Sequence, residues 1–334
     1  MLKVLTDETI KSSAIEGLVL NPDSVRSSLA RRLGLDVAGL KDHKDRNVDG
    51  VVEMMLDATQ NFRRPLSEER LSDWHAHLFP GVRTTSNEFR VGGLRDDREG
   101  PMRVVSGPIG RPKVHYVAPP ANRIGNEMKD FLGWFDSNEQ GDPLLKAGIA
   151  HLWFVTIHPF EDGNGRIGRA IAEMCLARSD GSAQRFYSMS SQILEERKGY
   201  YEVLQKTQSS GSLDITEWLV WFLACLDRAI ENSNRITDSA LEKESVIQGL
   251  KKQKVSLNNR QRKVLNKLFA GFEGKLTREK WMKLTKASSR TALRDIEKLI
   301  AAGVLEQEEA GGRSTSYRLK QIAVAGKPKK ADDK

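Results

Sequence analysis

Nine residues, HPFEDGNGR at 158 to 166, bring together a histidine, two carboxylates, two glycines around an asparagine, and an arginine. A core helix has no use for that composition, because it gives up apolar periodicity for polar groups and helix-breaking glycines. The apolar run KAGIAHLWFVTI ahead of it reads as a helix, and Pro159 stops its continuation, which leaves His158 at a helix end facing a loop. In that loop Gly163, Asn164 and Gly165 offer backbone N–H groups that can turn inward together. A helix beginning near Arg166 directs its positive dipole end at the same space, which makes a cradle for an anion. Arg166 and Arg169 stand three apart on that helix, so two guanidiniums can grip successive phosphates. A carboxylate at Asp162 belongs beside phosphate only with a divalent cation between them, and Mg2+ typically takes one carboxylate together with phosphate oxygens. The ligand that fits is a Mg2+-bound polyphosphate nucleotide, with His158 as the general base for an attacking hydroxyl. Taken singly, each residue also has a plain use as a helix cap, a surface charge or a turn stabiliser; it is their combination that indicates a site.

The elements that must hold this site are mainly helical. The 334 residues are 39% apolar, a composition that suits two or three domains, and no apolar run is long enough to span a bilayer. The opening MLKVLTDETIKSS lacks the apolar core of a secretory signal. Cys175 and Cys225 both fall in apolar helical patterns, which suits buried thiols better than a disulfide or a zinc site. The expectation is a cytoplasmic protein with no membrane partner. A formal charge of +8 and a pI near 9.4 leave an acidic partner open.

Along the chain, SVRSSLARRLGL, GVVEMMLDATQNF and SEERLSDWHAHLF carry helical periodicity, giving an N-terminal helical region over 1–75. Helical periodicity fails from Gly81 to Asn122, where RVVSGPIGRPKVHYVAPPA reads as a hairpin around a GPIGRP turn. Helices then resume, and a domain over 76–236 closes with the amphipathic DITEWLVWFLACLDRAIENSNRI. A charge-rich helical linker is expected over 237–256. Three short helices and a strand, turn and strand follow over 257–320, the order of a winged helix-turn-helix, and 321–334 reads as a disordered basic tail. Arg290 and Arg294 on the candidate recognition helix, with Arg313 on the wing, are candidate contacts to duplex DNA, and protein docking is the alternative.

HPFEDGNGRIGR resembles the Fic (filamentation induced by cAMP) family at every position that the family motif specifies: His, any residue, Phe, any residue, an acid, GNGR, and an Arg three residues on. The segments VHYVAPPA and SNEFRVGG resemble the family's flap and the stretch before it, so the similarity covers roughly 1–235. The resemblance implies a Fic-type helical core with a β-hairpin flap, and an enzyme that transfers AMP from ATP to Ser, Thr or Tyr hydroxyls of proteins. By position, it implies His158 as base and Phe160 as a core residue holding the loop. Asp162 would hold Mg2+, Gly163, Asn164 and Gly165 would cradle the phosphates, and Arg166 and Arg169 would complete the grip. The flap, with Val104, Val105, Lys113, Val114, His115 and Tyr116, would pair with an extended target segment that bears the hydroxyl. Tyr200 and Tyr201 resemble the family's helix near the adenine, and simple core residues are the other reading. Phosphoryl-transferring relatives tend to carry a Lys near Gly165, which sets transfer of another phosphate group behind transfer of AMP.

SSAIEG, residues 12 to 17, places Ser12 and Glu16 four apart on one face of a helix expected over about 6–17. It resembles the family's inhibitory helix, whose Glu salt-bridges the second motif arginine, here Arg169, and so keeps the γ-phosphate from its productive place. Three further readings stay open: hydrolytic removal of AMP, a second copy of the chain as a partner, and a DNA-binding regulator that uses the Fic domain as a nucleotide sensor.

Overall fold

The computed structural model describes residues 1–36, 45–82, 90–98, 100–106, 111, 113–137, 141–269, 271–272, 274–308 and 315–320. The expected hairpin turn at 107–110, Arg313 and the basic tail lie outside these residues. The chain divides into two compact units, Met1–Ser233 and Asn234–Lys334.

In the first unit α1 (Leu2–Ile15), α2 (Pro22–Arg32), α3 (Arg46–Gln60) and α4 (Glu68–Leu78) precede an antiparallel pair, β1 (Arg103–Ser106) and β2 (Lys113–Val117). Then come α5 (Ala121–Phe135), α6 (Pro143–Ile157), α7 (Asn164–Asp180), α8 (Met189–Glu195), α9 (Arg197–Ser209) and α10 (Thr216–Lys252), whose residues from 234 on belong to the second unit. The helices start where capping side chains allow it. Ser67 accepts the Arg70 N–H ahead of α4, and Asp142 accepts those of Leu144 and Leu145 ahead of α6, with Pro143 at the first helical position. α6 is apolar on nearly every side, as a helix surrounded by protein must be. Phe154 packs with Phe131 and Phe160, while Trp153 meets Phe131 and Trp134. Each large apolar side chain buried in this way contributes roughly 1.5–3 kcal/mol. α7 lies close against α6 because Gly168 has no side chain: a Cβ there would stand 2.7 Å from Val155 Cγ1.

The N-terminal helices were expected as a separate region, but they belong to the same unit as the motif, and Ile15 of α1 is part of its main core. The stretch read as a helical linker, 237–256, is helical over most of its length. α10 continues through it to Lys252, and Val246 and Leu250, one helical turn apart, are buried with the core of the second unit.

That second unit contains α11 (Asn259–Phe269), β3 (Leu276–Thr277), α12 (Arg278–Thr285), α13 (Ser289–Ala301), β4 (Leu305–Gln307) and β5 (Ser316–Leu319). Its three strands form an antiparallel sheet in the order β3-β5-β4, and its core is built on Val264, Trp281, Ile296 and Leu299. Among the described residues, no helix is long and apolar enough to cross a membrane.

Candidate active site

α6 ends at His158, which adopts the left-handed conformation (φ 53°, ψ 58°) with its N–H bonded to the Phe154 carbonyl at 3.0 Å. Left-handed backbone is uncommon for a residue with a side chain, so something must hold it. Arg95 does: its buried guanidinium donates to the His158 carbonyl at 2.7 Å, to Asp97 at 2.9 Å and to the Pro119 carbonyl at 2.5 Å, while its backbone N–H donates to Pro159 at 2.9 Å. From the other side the loop rests on Phe160, buried and stacked on His75 with ring centroids 4.3 Å apart. His75 in turn accepts the Gly92 N–H at 2.8 Å, and its pKa is pushed down to about 4 by burial.

The His158 ring is half-buried and Nδ1 lies 3.3 Å from the Val155 carbonyl. A carbonyl can only accept, so Nδ1 carries the proton and Nε2 is the basic nitrogen. Burial, reinforced by the charge of Arg95, lowers the pKa to about 4, so the ring is neutral at pH 7.

Gly163 (φ 81°) turns the chain into α7, and no side chain caps the first turn of that helix. The side chain of Asn164 is spent inside the loop: it accepts the Phe160 N–H at 3.0 Å and donates to the Phe160 carbonyl at 2.7 Å. Its share in an anion cradle is therefore its backbone N–H alone. Asp162 binds the Gly163 N–H at 2.6 Å, and its other oxygen lies 3.7 Å from Arg166 on a side chain that is 66% exposed. One exposed carboxylate beside a phosphate cradle fits an ion that arrives with the phosphates. It is not a resident metal cage, and no group of three or more metal-binding side chains occurs among the described residues. Arg166 is buried over the Phe79 ring at 5.2 Å, and its Nε has no partner among the described residues.

Arg169, fully buried, is held by the end of α1. Its Nε donates to Ser12 Oγ at 2.9 Å, one terminal nitrogen donates to the Ser12 carbonyl at 2.7 Å, and the other pairs with Glu16 Oε1 at 2.8 Å. Glu16 is the residue after α1, where the helix closes in a Schellman turn: Leu18 N–H bonds the Ser13 carbonyl and Gly17 N–H that of Ala14, with Gly17 at φ 84°. Burial alone would raise the Glu16 pKa, but the charge and hydrogen bond of Arg169 outweigh it and leave the carboxyl below its ordinary value. The same carboxylate fills the space over Gly165, where an added Cβ would stand 2.1 Å from Oε1.

Of these groups His158, Gly165 and Glu16 share a cleft of about 810 Å³, lined also by Val104, Lys113, Tyr200 and Tyr201 among others. Val104 faces Tyr116 and Val105 faces Val114 across the strand pair, with an irregularity between Val104 and Val105. Val105 and Val114 are exposed, as a docking strand requires, whereas the other flap residues tie it down: Tyr116 donates to the Thr156 carbonyl and His115 meets Gln205, each at 2.8 Å. The tyrosine pair splits. Tyr200 is a core residue whose hydroxyl meets the buried His151 at 2.9 Å, so the core reading holds for it. Tyr201 lines the cleft and donates to Glu16 Oε2 at 3.2 Å, and its pKa is pushed up to about 12 by burial and the Glu16 charge. Arg95 and His75 escaped the sequence reading because neither lies in a motif.

Comparison with known proteins agrees with this geometry. Residues 65–176 match the Fic/DOC family, and residues 1–35 match a domain of unknown function (DUF4172). The chain is 26% identical over 168 residues to protein adenylyltransferase fic-1 of Caenorhabditis elegans, covering 50% of this chain and 30% of that protein. It is 24% identical over 226 residues to protein adenylyltransferase Fic of Culex quinquefasciatus, covering 66% and 40%. The chain thus spans less than half the length of these relatives. A Fic family protein from Desulfovibrio desulfuricans G20 shares the fold with a TM-score of 0.50 at 22% identity, over 98% of this chain and 89% of its own. A Fic domain containing signaling protein from Bacteroides thetaiotaomicron VPI-5482 does so with a TM-score of 0.51 at 19% identity, over 69% and 85%. The motif loop and the strand pair lie with the segment, residues 65–176, that is similar to the Fic/DOC family.

Proposed function

We propose that the protein is an adenylyltransferase that moves AMP from ATP to a Ser, Thr or Tyr hydroxyl of a protein and is restrained by Glu16. The observation that carries this reading is one cleft that holds a neutral histidine, Gly165 at an uncapped helix start and the Glu16 carboxylate, which is already seated on the buried Arg169. The target's extended segment pairs with the flap edge at Val105 and Val114 and brings its hydroxyl to His158. Nε2 takes the hydroxyl proton as the oxygen attacks the α-phosphorus. The bond to the bridging oxygen breaks, and pyrophosphate leaves. Backbone N–H groups of Gly163, Asn164 and Gly165, with Arg166 and Arg169, hold the phosphate charge, and catalysis is chiefly positioning and electrostatics. Mg2+ held through Asp162 would supply further neutralisation of that charge. While Glu16 holds Arg169, that arginine is withheld from the γ-phosphate. The two buried free cysteines support a cytoplasmic setting.

The test is transfer from ATP labelled at either the α- or the γ-phosphate, in Mg2+, to protein in a cell lysate. The expected result is label from the α-position only, lost in His158→Ala. Label from the γ-position alone would replace this reading with a phosphotransferase.

A second activity is favoured by the distribution of charge. Residues 234–334 hold 24 Lys and Arg against 12 Asp and Glu, so the whole positive excess of the chain lies in the second unit. We read its helices and sheet as a winged helix-turn-helix that binds duplex DNA, with the exposed Arg290 and Arg294 on α13 at the groove.

A further inference from the structure

α1 is held to the molecule in an unusual way. Of its buried residues only Leu5 and Ile15 are apolar; the rest are Thr6, Glu8, Thr9, Ser12 and Ser13. Thr6 and Thr9 turn their hydroxyls back onto the helix's own carbonyls of Leu2 and Leu5, so they bind nothing beyond it. The side-chain attachments to the body of the unit therefore come at two places. One is Ser12 with Glu16, on Arg169. The other is Glu8, one turn before Ser12 on the same face.

Glu8 is 3% exposed, yet its carboxylate is fully engaged. Oε2 accepts the Ser188 hydroxyl at 2.7 Å and the Ser190 backbone N–H at 3.0 Å, and Oε1 accepts the Ser190 hydroxyl. These donors stand at the start of α8. On α7, one turn beyond Arg169, the buried Glu173 pairs with Arg185 at 3.1 Å, and Arg185 also reaches Asp180 at 3.7 Å and lies over the Tyr187 ring at 4.4 Å. The polar seam between α1 and the body thus runs from Glu16 and Arg169 to Glu8. A buried carboxylate is tolerated only while its donors stay in place, so Glu8 fixes α1 at one rotation and height. Ile15 and Leu5 add apolar packing at the two ends of this face, and Glu8 supplies the directional bonds between them.

We infer that Glu8 is a positioning residue of the brake: by anchoring α1 on Ser188 and Ser190 it sets how often Ser12 and Glu16 occupy Arg169. This gives the segment that matches a domain of unknown function, residues 1–35, a task in this chain, which is to hold and release the inhibitory end of α1. The inference rests on the reading of Glu16 as a brake.

The experiment uses the full chain and compares Glu8→Ala with wild type, Glu16→Gly and the double variant Glu8→Ala/Glu16→Gly. It reads hydrogen–deuterium exchange of the α1 amides and transfer of α-labelled AMP. Glu8→Ala is expected to speed exchange in α1 about tenfold or more. It should raise transfer toward the Glu16→Gly rate, and add nothing in the double variant, since an absent brake cannot be loosened further. Ser188→Ala/Ser190→Ala removes the two hydroxyl donors and leaves the Ser190 N–H, should change exchange and transfer in the same direction to a smaller extent, and decides the matter if Glu8→Ala does not fold. Unchanged α1 exchange overturns the inference. So does faster exchange with wild-type transfer while Glu16→Gly is active, and so does a Glu8→Ala increase that persists in the Glu16→Gly background. If Glu16→Gly itself transfers no faster than wild type, the brake reading has failed, and the exchange data still decide whether Glu8 anchors α1.

Discussion

At the residue scale, the proposal that His158 is the base predicts a pH profile from the surroundings of its ring. Burial lowers its pKa to about 4, so the neutral, proton-accepting form is present above that value and is lost only as the pH falls through it. In the Glu16→Gly variant, kcat/KM for transfer should therefore stay flat from about pH 8 down to about pH 5, with no acid limb near the ordinary histidine value of roughly 6.5. Arg95→Met should lower kcat by at least about tenfold with a smaller effect on KM for ATP, because Arg95 holds the His158 carbonyl and touches no phosphate-binding residue. A fall in both parameters alike would instead assign Arg95 to nucleotide binding. The residues of the 158–169 loop were legible as a group because they are contiguous, and Ser12 and Glu16 because four-residue spacing puts them on one helix face. Arg95 and Tyr201 were not: their partners lie 63 and 185 positions away, and no local pattern marks such pairs. Tyr201 was noticed for a nucleotide contact, and its bond to Glu16 was not.

At the scale of elements, the site depends on how closely α6 and α7 approach, since one ends at His158 and the other begins at the cradle. Gly168→Ala would drive a methyl to 2.7 Å from Val155 Cγ1, so the helices must part; about 1–3 kcal/mol of stability should be lost, read as a lower thermal midpoint. Gly133→Ala on α5 meets nothing within 4 Å and should be neutral or stabilise by about 0.5–1 kcal/mol, which separates crowding from a general effect of losing glycine. Helix periodicity and the hairpin signal foretold these elements well. The stretch read as a helical linker is helical to Lys252, in keeping with its many good helix formers, and Val246 and Leu250, four apart, are buried with the second unit's core, which no charge pattern marks.

For the whole molecule, the two units differ in charge as well as in fold, and the positive excess of residues 234–334 makes binding to a polyanion the expected behaviour of the second unit. Affinity for duplex DNA should fall steeply as salt rises, and Arg294→Ala should weaken it by roughly 1–3 kcal/mol if α13 reads base edges. Undetectable binding at low salt would make the unit a protein-docking module. SSAIEG hinted that the first helix meets Arg169, but burial of Ile15 with residues from 51 onward in one core is a tertiary fact that no local pattern marks. Once folded, that shared core is what brings a carboxylate from residue 16 onto an arginine at 169.

The central claim is that Glu16, by holding Arg169, restrains a competent adenylyltransferase. It is tested most directly by the rate of α-labelled AMP transfer in Glu16→Gly against wild type at saturating ATP and Mg2+. The account predicts an increase of at least about tenfold, the equivalent of the roughly 1.4 kcal/mol that a buried ion pair withholding a catalytic arginine should readily supply. Equal rates in the two proteins would contradict it.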